Sequence, residues 1–278
     1  MRRIPTVGVL RYVIRTIAVV TVVTVVGVLG VTAVGCGVST SSENSENSEN
    51  PGTLSGELTV SAAASLQGAF TEIAAAFEQV YPKVDVVLNF GASSTLARQI
   101  IAAAPVDVFA SADDANMQKV SDADLVDGPP STFATNSLTI IVRKGNPSNV
   151  STLADLARPG VVYVSCAPDV PIGAYSAQIL QQAGITVRTA SFEPDVKGIV
   201  AKVSSGEADA GIVYASDIAA TKGAATGVAI TPDANITVTY PIATIATSKK
   251  GTTAQAWISF VIGAEGQQIL RQNGFGAP

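Results

Sequence analysis

Leu66, Phe70, Ile73, Phe77 and Val80 recur at alternating spacings of four and three, which lays an apolar stripe along one face of a helix that must end near Pro82. The run "ELTVSAA" (57–63) before it predicts a strand, as does "VDVVLNF" (84–90) after it. "SSTLARQIIAAA" predicts the next helix, with Leu96, Ile100 and Ala104 on one face, and "VDVFAS" (106–111) a third strand. Strands separated by helices of this length imply βαβ units and a largely parallel sheet. Beyond Gly128-Pro129-Pro130 the chain passes through "NSLTIIVRKGNP", and a second set of units begins. There "VVYVSC" and "ADAGIVY" predict strands. "GAYSAQILQQAG" and "DVKGIVAKVSSG" predict helices, the second with Val196, Ile199, Val200 and Val203 on one face. After "VTYPIATIA" (238–246) the end is helical and carries Trp257, Phe260, Val261, Ile269 and Leu270. The pattern therefore predicts two α/β lobes; periodicity does not say which lobe the terminal helices join.

The first 56 residues follow neither pattern. Arg2, Arg3, Arg11 and Arg15 precede an uncharged apolar stretch, Ile17 to Val34, that ends in small residues before Cys36. This is the layout of an export signal. Ala-Val-Gly-Cys resembles the lipobox of bacterial lipoproteins, with Ala33 where that motif usually has Leu; it implies a signal segment over residues 1–36 that ends at the lipobox cysteine, with Cys36 lipidated and left as the new N-terminus. The alternative is an uncleaved anchor, since the stretch approaches the ~20 residues that span a bilayer. Either places the remainder outside the cytoplasm and at a membrane. Residues 37–56, with a threefold Ser-Glu-Asn repeat, are expected to form a flexible tether, and the folded body to start near Glu57.

Charge and composition narrow the function. Four of the 17 basic residues precede Cys36, which leaves 13 against 22 acidic residues, a net charge near −9 beyond the signal. A chain so acidic is a poor partner for nucleic acid, whose affinity rests on Lys and Arg. The chain has no histidine, so a Ser-His-Asp triad, a Cys-His pair and every histidine metal site are excluded. With Cys36 lipidated, Cys166 has no disulfide partner within the chain and is expected to pack as a small buried hydrophobe. Asp113-Asp114, beside Asn116, read as solvated or capping groups rather than metal ligands.

Two junctions carry possible chemistry. Ser65 opens the first helix, and Ser93, Ser94 and Thr95 open the second, each just after a strand. In open α/β sheets ligands sit beyond the carboxyl ends of strands, where helix N-termini offer unpaired N–H groups. Ser and Thr are also ordinary N-caps, so the junctions alone leave capping and anion binding both open.

"VSAAASLQGAF", "FGASSTLARQI", "PVDVFASAD", "ATNSL", "VPIGAY", "DVKGIVAKVSSGEADAGIVYASD" and "YPIA" occur in the order and at roughly the spacing of the periplasmic molybdate-binding proteins of ABC importers. The resemblance spans about residues 57–278. It implies a type II periplasmic binding protein: an α/β fold of two lobes, each with a mixed, mostly parallel sheet, and a ligand cleft between them. It implies lobe 1 at 57–135, lobe 2 at 136–239, and a return of 240–278 to lobe 1, with closure by a hinge near Asn136 and Tyr240. The same resemblance assigns the oxyanion donors: the hydroxyls of Ser65, Ser93 and Tyr214, and the backbone amides of Ile172 and Val196, with Asp195 capping the Val196 helix. Ile172 stands where many relatives have Ala, which a backbone donor tolerates. Arg98 is expected on a solvated helix face rather than on the anion.

What the resemblance implies is a monomeric, non-enzymatic protein with no resident cofactor that carries molybdate, and tungstate with it, to a membrane permease. Sulfate, thiosulfate or another tetrahedral oxyanion is the alternative cargo. A donor-only site suits such ions. Charge-assisted hydrogen bonds are roughly twice as strong as neutral ones. Phosphate, which keeps a proton near neutral pH, would leave that proton unpaired at a cost of about 1–3 kcal/mol.

Overall fold

The computed structural model describes residues 54–278. The signal segment, Cys36 and the tether up to residue 53 lie outside the described residues. The fold extends slightly upstream of Glu57: Leu54 is already buried and the first strand opens at Gly56.

The chain begins β1 (Gly56–Ala63), a short 3-10 turn (Ala64–Leu66), α1 (Gln67–Val80), β2 (Val84–Gly91), α2 (Ser93–Ile101), β3 (Val108–Ala110) and α3 (Asp114–Asp122). A long strand follows, β4 (Val126–Arg143), then β5 (Tyr163–Cys166), α4 (Pro171–Gln182), β6 (Thr189–Glu193), α5 (Val196–Ser205), β7 (Ala210–Tyr214) and α6 (Ala215–Ala220). The last elements are β8 (Ala225–Ala229), β9 (Thr237–Ile245), α7 (Gly251–Ile262) and α8 (Ala264–Gln272).

The fold is α/β with a mixed sheet of order β2-β1-β3-β9-β4-β7-β5-β6, and β8 also on β4. Two parallel cores, β2-β1-β3 and β6-β5-β7, come from the alternating strands and helices. Between them run β4 and β9, antiparallel to their neighbours and to each other. β4 changes partners along its length: residues up to Ser137 pair with β9, and from Leu138 onward it pairs with β7. This single strand therefore belongs to both halves. Gly128-Pro129-Pro130, read from sequence as a break, lies inside β4 at a register shift between Asp127 and Ser131. A bulge is where a strand tolerates prolines, because no ladder N–H is needed there.

The apolar stripe of α1 explains how the C-terminus packs. Phe70 and Phe77 meet Trp257 of α7 edge-on at centroid distances of 5.7 and 5.4 Å, and Phe77 meets Phe260 at 5.5 Å. Such pairs contribute about 0.5–1.5 kcal/mol each beyond the burial of their area. The terminal helices thus lie on the half built by β1–β3, and Gly276 bridges Thr135 of β4 through backbone hydrogen bonds.

Candidate functional site

The carboxyl ends of β1, β2 and β7 lead into a 3-10 turn, α2 and α6, and α4 and α5 start nearby. Their first residues surround one small cavity of about 20 Å³ lined by Ser65, Ser93, Ile172, Val196 and Tyr214, with Gly91, Val170, Pro171 and Asp195 among the other walls. All five residues expected as donors line it, and each is buried. A volume barely above what one water needs suits a compact inorganic ion better than a sugar, amino acid or nucleotide.

The local geometry shows why each group can donate. Ser93 does not cap α2; the N-cap is Ala92, with no side-chain capping bond. Instead its Oγ accepts the Ala112 N–H at 2.9 Å, which occupies a lone pair and leaves the hydroxyl proton for the cavity. Ser65 sits in the 3-10 turn, where its Oγ lies 3.0 Å from Tyr240 Oη. Pro171 begins α4 and has no N–H, so Ile172 carries the first amide of that helix. Ala174 N is the first to bond back, to Val170 O. Asp195 is the N-cap of α5: its Oδ1 accepts the Lys197 and Gly198 N–H groups at 2.8 and 3.2 Å and leaves Val196, ahead of both, facing the cavity. Its carboxylate is the one charged group on the wall, and those two amides engage it.

Tyr214 supplies the strongest indication of a ligand. It ends β7 with its ring 2% exposed, its backbone N–H donated to Asp217 Oδ2 at 3.2 Å, and its phenol oxygen buried without a protein partner. Burial pushes the phenol pKa well above its ordinary value, so the group is a protonated donor. Buried polar groups are nearly always paired, so an orphan on a cavity wall points to a ligand that completes it.

The fields agree with the donors. α2, α4 and α5 all begin at the cavity, and each N-terminus carries a partial positive charge of roughly half a unit. No lysine or arginine lines the cavity. Arg98 is exposed and pairs with Asp169 at 3.1 Å, a bond that joins α2 to the segment before α4. Asp113 caps α3 by accepting the Asn116 N–H at 2.9 Å, and Asp114 accepts from Thr239 Oγ1 at 2.6 Å. Cys166 is buried and unpaired, with its thiol pKa pushed up by burial, so it is inert packing.

Sequence reasoning gave Gly173, Ala112 and Tyr240 no part in the lining or support of the cavity. A Cβ on Gly173 would stand 2.0 Å from Ala167 O and 2.6 Å from Cys166 O, so only glycine lets the start of α4 approach that loop. The roles of Ala112 and Tyr240 depend on contacts distant in sequence and leave no local mark.

Two α/β halves that share β4 and β9, with a small donor-lined cavity at helix N-termini, define a periplasmic binding protein of type II. Known proteins bear this out. The model of the family "bacterial extracellular solute-binding protein" matches residues 58–276. Molybdate-binding protein ModA of Mycobacterium tuberculosis H37Rv is 40% identical over 221 residues, which covers 80% of this chain and 85% of that protein. The periplasmic molybdate-binding protein of Azotobacter vinelandii shares the fold at a TM-score of 0.70 and 21% identity, over 80% of this chain and 99% of that one. The sulfate-binding protein SubI of M. tuberculosis H37Rv superimposes equally well, at a TM-score of 0.70 and 21% identity, over 79% of this chain and 86% of that one. The chain belongs to the ModA-like family of bacterial extracellular solute-binding proteins.

Proposed function

We propose that this protein captures molybdate, and tungstate with it, through the hydroxyls of Ser65, Ser93 and Tyr214 and the amides of Ile172 and Val196, and delivers it to the permease of an ABC importer. The observation that carries this reading is the orphaned Tyr214 phenol in a cavity lined by the Ser65 and Ser93 hydroxyls and by two helix-first amides, where the one carboxylate, Asp195, is engaged in capping α5 and no cation stands on the walls. Fixed dipoles replace the hydration shell of a dianion, and a cavity this small admits little else. The 40% identity to a molybdate-binding relative, against 27% to a sulfate-binding protein of Synechococcus elongatus, favours molybdate over sulfate.

The oxyanion is cargo, with no resident cofactor and no chemical step. Residues 57–135 and 240–278 would move as one lobe and 136–239 as the other, bending where β4 and β9 cross near Asn136 and Tyr240. Among the described residues no helix is long and apolar enough to cross a membrane. Attachment to the outer face of the membrane would fall to a lipid on Cys36, with the chain acting as a monomer.

Calorimetric titration of residues 37–278 with molybdate, followed by displacement with tungstate, sulfate and phosphate, tests this. One-to-one molybdate binding shared with tungstate and resisted by sulfate and phosphate is expected. A response to sulfate alone would keep the class and move the cargo; silence with all four would overturn the reading.

A further inference from the structure

Two groups on the cavity wall, the Val196 amide and the Tyr214 phenol, belong to different elements, α5 and the end of β7. One small ion can meet both only if those elements are held in register at the cavity. Asp217, in the first turn of α6, joins them through its two oxygens. Oδ1 accepts from Lys197 Nζ at 2.9 Å, and Oδ2 accepts the Tyr214 N–H at 3.2 Å. Lys197 directly follows Val196, and its own backbone N–H is taken by Asp195 at 2.8 Å. One carboxylate therefore links the backbone of one donor residue to the neighbour of the other.

The link is built to be rigid. Asp217 is 0% exposed, and the Lys197 side chain is 27% exposed. A carboxylate buried this far is retained only when paired and hydrogen-bonded, so it ties its partners together. Burial pushes the Asp217 pKa up, and the Lys197 ammonium and the Tyr214 amide oppose that rise. An acid that accepts the N–H at the start of its own helix is ordinary capping. Capping does not require a lysine from another helix, 20 positions earlier in the chain. Neither Asp217 nor Lys197 lines the cavity.

We infer that Asp217, anchored by Lys197, is a positioning residue for the oxyanion site: it holds Tyr214 where its phenol meets the ligand alongside the Val196 amide. The inference rests on the oxyanion reading above. It gives a part in ligand binding to a buried ion pair that does not touch the ligand.

The test is Asp217→Asn, read in combination with Tyr214→Phe. A side-chain amide accepts at one end only, so either the Tyr214 N–H or the Lys197 ammonium loses its acceptor. Molybdate affinity is measured by calorimetry for the wild-type chain, D217N, Y214F and the double variant, with thermal unfolding as a check of the fold. D217N should weaken molybdate by roughly tenfold or more, up to the loss caused by Y214F, the scale of one hydrogen bond to a charged group. Without the phenol nothing is left to position, so in the Y214F background D217N should cost less than about twofold. Combined with Ser93→Ala, whose oxygen is held by Ala112 instead, D217N should show its full loss.

Unchanged affinity in D217N, or the same loss with and without the phenol, would overturn the inference and leave Asp217 as a helix cap and a core ion pair. Wild-type chain that binds no oxyanion would overturn the functional reading as well, so the two failures are distinct. Should D217N fail to fold, Lys197→Met together with Asp217→Leu is the second variant. Replacing both partners of a buried pair by apolar residues of similar volume is often neutral for the fold. The same dependence on the Tyr214 phenol is expected of it, and its absence would count against the inference.

Discussion

Tyr214→Phe isolates one ligand hydrogen bond without disturbing a protein one. The phenol oxygen has no partner in the protein, so its removal leaves no group unsatisfied, and the ring keeps its edge contact with Tyr240 at 5.8 Å. In the unliganded protein the change removes a buried polar atom that lacks a partner, so stability should hold or rise by about 1 kcal/mol. In the complex it removes a hydrogen bond to a charged group, worth about 1.5–3 kcal/mol, or roughly a 10- to 150-fold loss of affinity. The assay pairs calorimetric titration with molybdate and thermal unfolding in its absence. Weakened binding with an undiminished melting temperature is expected. Unchanged affinity would refute the reasoning, because it would mean the orphaned phenol does not meet the ligand.

Other perturbations separate the remaining roles. Ser93→Ala should weaken molybdate by a similar factor and, unlike Tyr214→Phe, also destabilise the free protein by about 1–3 kcal/mol, because it strands the buried Ala112 N–H; unfolding by denaturant measures this. Gly173→Ala places a Cβ 2.0 Å from Ala167 O, where only backbone can yield, so a destabilisation of about 1–3 kcal/mol and loss of affinity through displacement of the Ile172 amide are expected from melting and titration. Affinity should be nearly flat from pH 6 to 8. The Tyr214 and Tyr240 phenols are pushed upward by burial, which keeps both as neutral donors as pH rises through that range, and the chain has no histidine. A steep dependence on pH in the titrations would expose a titrating ligand group outside this set.

The strand and helix periodicities of the two parallel cores were legible because each element buries one face, and burial writes a period of two or 3.6 into the sequence. α3 was not legible: "DANMQKVSD" buries only Asn116, Met117 and Val120 and is held by the Asp113 cap. β4 was divided by its prolines in the reading of the sequence, whereas its continuity depends on pairing with β9, more than a hundred residues away. At the site, the hydroxyls after the first two strands were conspicuous, but local sequence left capping and ligand binding both open. The fold removes the capping reading for Ser93: the N-cap of α2 is Ala92, with no side-chain capping bond, and Ser93 Oγ accepts from Ala112 of another segment.

The sequence by itself determined the α/β class, the absence of histidine chemistry, the acidic character and, through resemblance, the five positions that line the cavity. These are properties of residue type and short-range order. Tertiary structure alone decided that the five surround a single small cavity, that the Tyr214 phenol lacks a protein partner, and that Ser65 meets Tyr240 across 175 positions of chain. The reason is physical. Propensity and periodicity act within one element, whereas the partners of a hydroxyl are whichever groups the fold brings to its oxygen.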